Sequence, residues 1–190
     1  MTRCGIVLSA GLTLMLLMGC AAKIKQPEWR YEKEAIRIHI QADHKLNLYN
    51  RKAHTLYVCF YQLTELNAFD RLTQDEPGIR ELLEGRLFDS SVAAVNSKII
   101  HAGENLTFYL DRAERARYFA IVTGYFDKLD DDRMVRRHKI QVLKKTESYW
   151  KRKYRCVPCP LEIDMSLGPK QIEYSKIIVK DKACADECKP

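Results

Sequence analysis

The sequence predicts a mainly β fold, a β-sandwich with an added short helical element. Three features carry that reading. Residues 35–42 alternate, with Ile36, Ile38 and Ile40 on one side and Arg37, His39 and Gln41 on the other, the period of a half-buried strand. Two stretches, residues 56–63 and 118–126, are almost continuously apolar and read as central strands. Between them the period changes to that of helices: Leu66, Phe69 and Leu72, then Ile79, Leu82, Leu83 and Leu87. Short strands separated by turn residues, with a helical insertion, are the pattern of a sandwich.

The N-terminus decides the compartment. Arg3 is followed by an uncharged, largely apolar run over residues 5–18. At about 1.5 Å per helical residue it reaches roughly 21 Å, short of the ~30 Å hydrocarbon core, and suits a signal peptide. It closes on Leu17-Met18-Gly19-Cys20, which resembles the bacterial lipobox, where cleavage precedes a Cys that carries the lipid. Residues 1–19 therefore read as a cleaved leader and Cys20 as the acylated first residue. Ala21, where an Asp would retain such a protein in the inner membrane, favours the outer membrane. Residues 20–34, with Pro27, Trp29 and Tyr31, read as a tether, and residues 35–190 as the domain with a cysteine-rich tail. Removing the leader takes the formal charge from +7 to +6. A basic domain outside the cytoplasm faces lipid headgroups, cell-wall polymer or an acidic partner, not nucleic acid.

Each later element has its own signal. His39 falls on the wet face of the first strand, away from any metal-ligand pattern. Residues 43–54 are a polar connection that nevertheless carries Leu46, Leu48 and Tyr49. Apolar side chains in a loop mark a contact surface unless they tuck back onto the sandwich. Cys59, inside a central strand, reads as a small buried hydrophobe. Thr64 reads as the cap of the first helix and Pro77-Gly78 as a break before the second. Gly85 reads as lying inside the second helix, at a cost of about 1 kcal/mol relative to Ala. Residues 91–100 and 106–110 read as strands around an Ala102-Gly103-Glu104 turn. Asp130-Asp131-Asp132 reads as a solvated loop tip. Residues 134–143, 161–167 and 172–179 read as further strands, the last two joined by Gly168-Pro169.

Residues 133–155 hold ten Lys or Arg against one acid, Glu147. They read as an edge strand kept from pairing by its charges, or as a surface for an anionic ligand. The sequence has no Gly-x-Ser-x-Gly, His-Glu-x-x-His or phosphate-cradling glycine loop, and its five His are scattered. No enzymatic activity is expected, and no cofactor beyond the lipid. Cys156, Cys159, Cys184 and Cys188 admit three readings: a zinc site, a redox Cys-x-x-Cys, or structural disulfides. Pro158 and Pro160 oppose the helix that a redox pair wants, and an oxidising compartment favours disulfides. The pairing stays open.

Taken in order, several pieces resemble one family, the TssJ (SciN-like) outer-membrane lipoproteins of type VI secretion. They are the lipobox, the first strand ending near Leu46-Asn47, and the second ending Tyr61-Gln62-Leu63. Phe69, Gly103, and Ala116-Arg117-Tyr118 before the strand that reaches Tyr125 complete the series. Ala102 stands where the family often has Pro, and Arg133-Met134-Val135-Arg136 where Trp-Arg is common. The resemblance implies a transthyretin-like β-sandwich on the periplasmic side of the outer membrane. It also implies a non-catalytic role, holding a TssM-like inner-membrane protein. The contact loop implied lies between the first two strands: Lys45, Leu46, Asn47, Leu48, Tyr49, Asn50, Arg51 and Lys52. The alternative is an unrelated lipoprotein that binds cell wall or lipopolysaccharide through the basic segment.

Overall fold

The computed structural model describes residues 24–25, 27–127, 130–148, 150, 153–179 and 184. In chain order its elements are β1 (Ile24–Lys25), β2 (Glu32–Ala42), β3 (Leu56–Leu63), α1 (Asn67–Leu72), α2 (Glu76–Leu83), β4 (Val92–Ile100) and β5 (Asn105–Arg112). There follow β6 (Tyr118–Thr123), α3 (Asp131–Met134), β7 (Val135–Lys139), β8 (Val142–Ser148), β9 (Lys153–Pro158), β10 (Leu161–Leu167) and β11 (Ile172–Ile177). Two four-stranded sheets, β11-β10-β2-β5 and β4-β3-β6-β7, form the sandwich, and a small sheet β1-β9-β8 stands beside it.

The alternation of β2 does what its period requires. Ile36, Ile38 and Ile40 are fully buried, and so are Ile163, Met165 and Leu167 on β10. β10 runs parallel to β2 from Leu161 opposite Ile36 to Leu167 opposite Ala42, while β5 pairs antiparallel on the other side. Phe60 of β3 meets Phe108 of β5 across the interior at 5.5 Å and stacks on Phe119 of β6 at 6.1 Å. The opposite face of β3 is also covered, by the helices. Tyr61 packs on Phe69 and Phe88, and its hydroxyl donates to the Leu82 carbonyl at 2.5 Å. A strand wet on neither face has no reason to alternate, which explains the continuous apolar run of β3. Cys59 is a free, buried thiol beside the Leu83 carbonyl, and burial pushes its pKa up, away from reactivity.

The helical reading needs correction in detail. Thr64 caps nothing; Leu66 precedes α1 without a side-chain cap, and the Thr64 N–H bonds to the Ser91 carbonyl. Pro77-Gly78 does not break the chain but lies in the first turn of α2, where a missing N–H is tolerated. Asp75 caps that turn by accepting from the Gly78 N–H at 2.8 Å. A Cβ at Gly78 would run into the Leu72 carbonyl, so only Gly lets α1 and α2 approach here. Gly85 lies beyond the end of α2 with φ +67°, where Gly closes a helix without strain. Leu87 is outside the helix and exposed.

The strand read over 134–143 divides. Its start belongs to α3 and β7, at the edge of one sandwich sheet, and its end to β8, in the third sheet. Two of the three aspartates before it are engaged, while Asp132 is exposed. Asp130 caps α3 through the Arg133 N–H and pairs with the Arg133 side chain at 2.7 Å. Asp131 pairs with Arg137, which also holds Asp70 at 2.6 Å and covers the Phe69 ring. Arg136 donates to the Ile172 carbonyl at 2.6 Å, joining β7 to β11. Three of the basic residues are thus spent inside the domain rather than offered along one surface.

The tether reading also moves. Strand β1 pairs with β9, Trp29 packs against the core, and its carbonyl accepts from the Arg115 N–H at 2.7 Å. The sandwich begins at Glu32, before a bulge at Glu34 (φ +52°), rather than at residue 35. The leader and Cys20 lie outside the described residues.

His138 of β7 adds a pH dependence. It is buried, with Nε2 2.7 Å from the Ser175 hydroxyl of β11. Burial first, and the Arg136 charge second, lower its pKa from 6.5 to about 4. The unfolded chain therefore binds more protons between those values, and stability falls as pH drops through that window. From pH 7 to pH 5 the loss amounts to about 2 kcal/mol. Urea unfolding of the wild type and of His138→Gln at both pH values measures it. Equal pH dependence in the two proteins would remove His138 as the cause.

Candidate partner-binding end of the sandwich

One end of the sandwich gathers the β2–β3 loop, the chain after β6 and the β10–β11 turn. The β2–β3 loop is not slack. Leu46 is fully buried and its carbonyl accepts from the His54 N–H at 3.0 Å. Asn47 is 3% exposed and locks two segments together. Its side-chain amide donates to the Thr55 carbonyl and its side-chain oxygen accepts from the Phe126 N–H, both at 2.8 Å. It does so at φ +48°, a conformation Asn tolerates better than most residues. The Leu48 N–H donates to the Pro169 carbonyl at 2.7 Å, which ties in the β10–β11 turn. Tyr125 ties the same turn from the other side: its ring is buried, its hydroxyl donates to the Gln171 carbonyl at 2.8 Å, and burial pushes its pKa up.

Above this base the loop projects a hairpin. Tyr49 and Lys52 exchange backbone hydrogen bonds at 3.0 Å, with Asn50 (φ +49°) and Arg51 (φ +61°) between them. Two consecutive positive φ values make a type I′ turn, and Arg51 has no side-chain reason to favour it. Strain of this kind persists where the surroundings hold it, commonly at binding sites. Beside the hairpin, Tyr49 (50% exposed) and Phe126 (58% exposed) lie ring to ring at 5.2 Å, with His54 5.0 Å from Phe126. Lys45, Arg51, Lys52 and Lys170 are exposed around this end, Lys170 lying 3.5 Å from Asp127. A rigid aromatic pair with a basic rim can grip a protein surface that offers an apolar pocket and acidic groups.

The eight loop residues expected as a contact therefore have different duties. Leu46 and Asn47 are structural, Leu48 is half-buried, and Lys45, Tyr49, Asn50, Arg51 and Lys52 are exposed. Sequence reading missed Phe126 and Lys170. Phe126 did have a signal: in extended chain, neighbours point to opposite sides, so Tyr125 and Phe126 could not both be buried in one core.

The cysteines resolve in part. Cys159 is bonded to Cys184, and Cys156 is disulfide-bonded too; Cys188 lies outside the described residues. Bonded in this way, Cys159 is neither a thiolate ligand nor the redox partner of Cys156. Among the described residues no cluster of three or more His, Cys, Asp or Glu is placed to hold a metal.

A family model described as "Type VI secretion lipoprotein, VasD, EvfM, TssJ" matches residues 34–156. This chain belongs to the type VI secretion lipoprotein family. The matched span contains the whole β2–β3 loop, Phe126 and most of the third sheet, and so runs beyond the last sequence piece that pointed to the family. Among solved structures, the type VI secretion lipoprotein TssJ1 from Pseudomonas aeruginosa is 16% identical with TM-score 0.56, covering 82% of this chain and 100% of that one. Lip from Serratia marcescens, a membrane-bound component of the type VI secretion system, is 13% identical with TM-score 0.52, covering 77% and 98%. A chain described as "Type VI membrane complex" is 12% identical with TM-score 0.51, covering 76% and 97%. At such identities the likeness is one of fold. No curated protein matches the chain in sequence.

Proposed function

We propose that this type VI secretion lipoprotein is a non-catalytic anchor. Lipidated at Cys20, it holds the periplasmic part of a TssM-like inner-membrane protein to the outer membrane. The observation that carries the reading is the locked end of the sandwich. Buried Asn47 and Leu46 fix a loop whose exposed Tyr49 lies against exposed Phe126. Family membership supports it, as does a lipobox-like segment that would fix the other end of the molecule. The mechanism is mechanical: acyl chains restrain one end and a protein interface the other. Arg133, Arg136 and Arg137 are engaged within the fold, which leaves the cell-wall alternative to the other basic residues of the segment.

The test is binding of the full acylated chain, in detergent, to the periplasmic region of TssM from the same genome. Tyr49→Ser combined with Phe126→Ser should weaken binding by about 30-fold or more, since exposed aromatic anchors dominate such interfaces. Both side chains are half exposed, so the fold is retained and circular dichroism should be unchanged. Undiminished binding by this variant would move the interface elsewhere. Failure of the folded wild type to bind would end the anchor reading.

A further inference from the structure

The third sheet projects from the sandwich, and its register gives it a direction. Strand β1 pairs parallel with β9, Ile24 opposite Tyr154 and Lys25 opposite Arg155. Parallel strands start at the same end. The chain that precedes Ile24 therefore leaves the sheet where β9 begins, which is where the β8–β9 hairpin turns; Ser148 and Lys153 pair across that turn. Cys20 is four residues before Ile24. Four residues span at most about 14 Å, so the chain is too short to carry Cys20 farther than that from the start of β1.

The tip is chemically distinctive. Trp150 lies in the turn and is 96% exposed, the most exposed large apolar side chain described. Lys144 and Lys145 on β8 are exposed, Lys144 lying 4.4 Å over the ring of Tyr154. Glu147 is the one acid of the hairpin, and Arg155 lies 3.5 Å from it. An exposed aromatic side chain at the turn, with lysines farther along β8, matches the headgroup region of a bilayer, where Trp is favoured and basic residues meet anionic lipid. The root of the arm supports the same direction. β9 passes into β10 at Leu161, opposite Ile36, whereas the aromatic loop end lies past Leu167 and Ala42. Six residues of strand, about 20 Å, separate the two ends. The Cys159–Cys184 bond staples the root of the arm.

We propose that the β8–β9 hairpin is a second membrane contact. Trp150 and Lys144/Lys145 rest on the anionic phospholipid surface beside the acyl chains of Cys20. A single acyl chain binds only marginally, and a basic, aromatic patch is the kind of second signal that makes attachment persistent. The hairpin would also orient the molecule, holding the aromatic loop end away from the bilayer and toward the periplasm. The proposal rests on Cys20 as the acylated residue.

The test uses the full acylated chain reconstituted into vesicles of phosphatidylethanolamine and phosphatidylglycerol, with bromine on the upper acyl carbons of some lipids. The protein has two tryptophans, so the difference between wild type and Trp150→Phe reads Trp150 while Trp29 stays in place. The Trp150 signal should be blue-shifted and quenched about twofold by the brominated lipid, with the residual Trp29 signal unaffected. Lys144→Glu with Lys145→Glu, or vesicles lacking phosphatidylglycerol, should reduce the quenching. Flotation is measured in parallel. A chain that floats while its Trp150 is unquenched overturns the hairpin contact and leaves the lipid anchor standing. Equal quenching of Trp29 and Trp150 would also overturn it, as general proximity to lipid. A chain that does not float overturns the lipidation of Cys20, and this proposal with it.

Discussion

Asn47→Ala is expected to lower the stability of the domain by about 3 kcal/mol and to weaken partner binding with it. The substitution strands the Phe126 N–H and the Thr55 carbonyl, each lost bond costing about 1 kcal/mol or more. It also places Ala at φ +48°, for roughly 1 kcal/mol more. For a domain of this size the melting temperature should fall by about 6–12 °C, read by calorimetry. Asn47→Asp provides the finer measurement. Its carboxylate still accepts from the Phe126 N–H but turns a buried negative charge toward the Thr55 carbonyl, so at pH 7 its loss should be at least as large as that of Ala. The contrast with Tyr49→Ser and Phe126→Ser separates two roles. Those changes should remove binding at nearly unchanged melting temperature, whereas Asn47→Ala should move both. An Asn47→Ala protein that melts with the wild type would show that the loop is held by something other than this side chain.

Removing the Cys159–Cys184 bond is expected to cost about 3 kcal/mol, the loop-closure entropy released for residues 25 apart. The double substitution Cys159→Ser with Cys184→Ser avoids a stray thiol. Its effect should be concentrated where the bond acts. Cys159 is buried and its N–H donates to the Gln141 carbonyl at 2.8 Å, so the bond sits at the root shared by β8, β9 and β10. Limited proteolysis should cut first between residues 140 and 160, while the β2–β3 loop stays protected. Dithiothreitol treatment of the wild type, which also reduces the Cys156 bond, should open the same region at least as far. Proteolysis that spares this region in both cases would mean that the bond does not hold the arm. With His138→Gln, which removes a pH dependence that sets in below pH 7, these variants probe three separate joints of the fold.

The strands were legible because their signal is local. In β2, β5 and β10, side chains two apart share one environment, so burial writes itself into the sequence as alternation. Cys59 was legible for the same reason, as an apolar neighbour in an apolar run. The helix boundaries were harder. Gly85 inside a helix and Gly85 just beyond one differ by a single φ angle, and Pro77 is a breaker or a first-turn residue according to where the cap lies. Asp75, with Gly78 three residues on, was the available signal for that cap.

The candidate site was legible as a loop but not as a surface. Leu48 and Tyr49 in a polar connection, together with the family resemblance, pointed to residues 45–52. Nothing local distinguishes Leu46, which is buried, from Tyr49, which is not, and Phe126 joins them from a strand end far along the chain. Likewise, ten basic residues in a row of twenty-three look like one stripe until the sheets form. Arg133, Arg136 and Arg137 then turn inward to aspartates and carbonyls, and the lysines of β8 are carried away on a separate sheet.

Periodicity and composition alone were enough for the mainly β class, the central strands and the preference for disulfides, because each depends on residues near one another in the chain. The pairing of Cys159 with Cys184, the union of Asn47 with Phe126, and the parallel placement of β1 against β9 came only with the folded chain. These join residues 25, 79 and about 130 positions apart, and nothing in local sequence records which distant partner a buried polar group or an open strand edge will find.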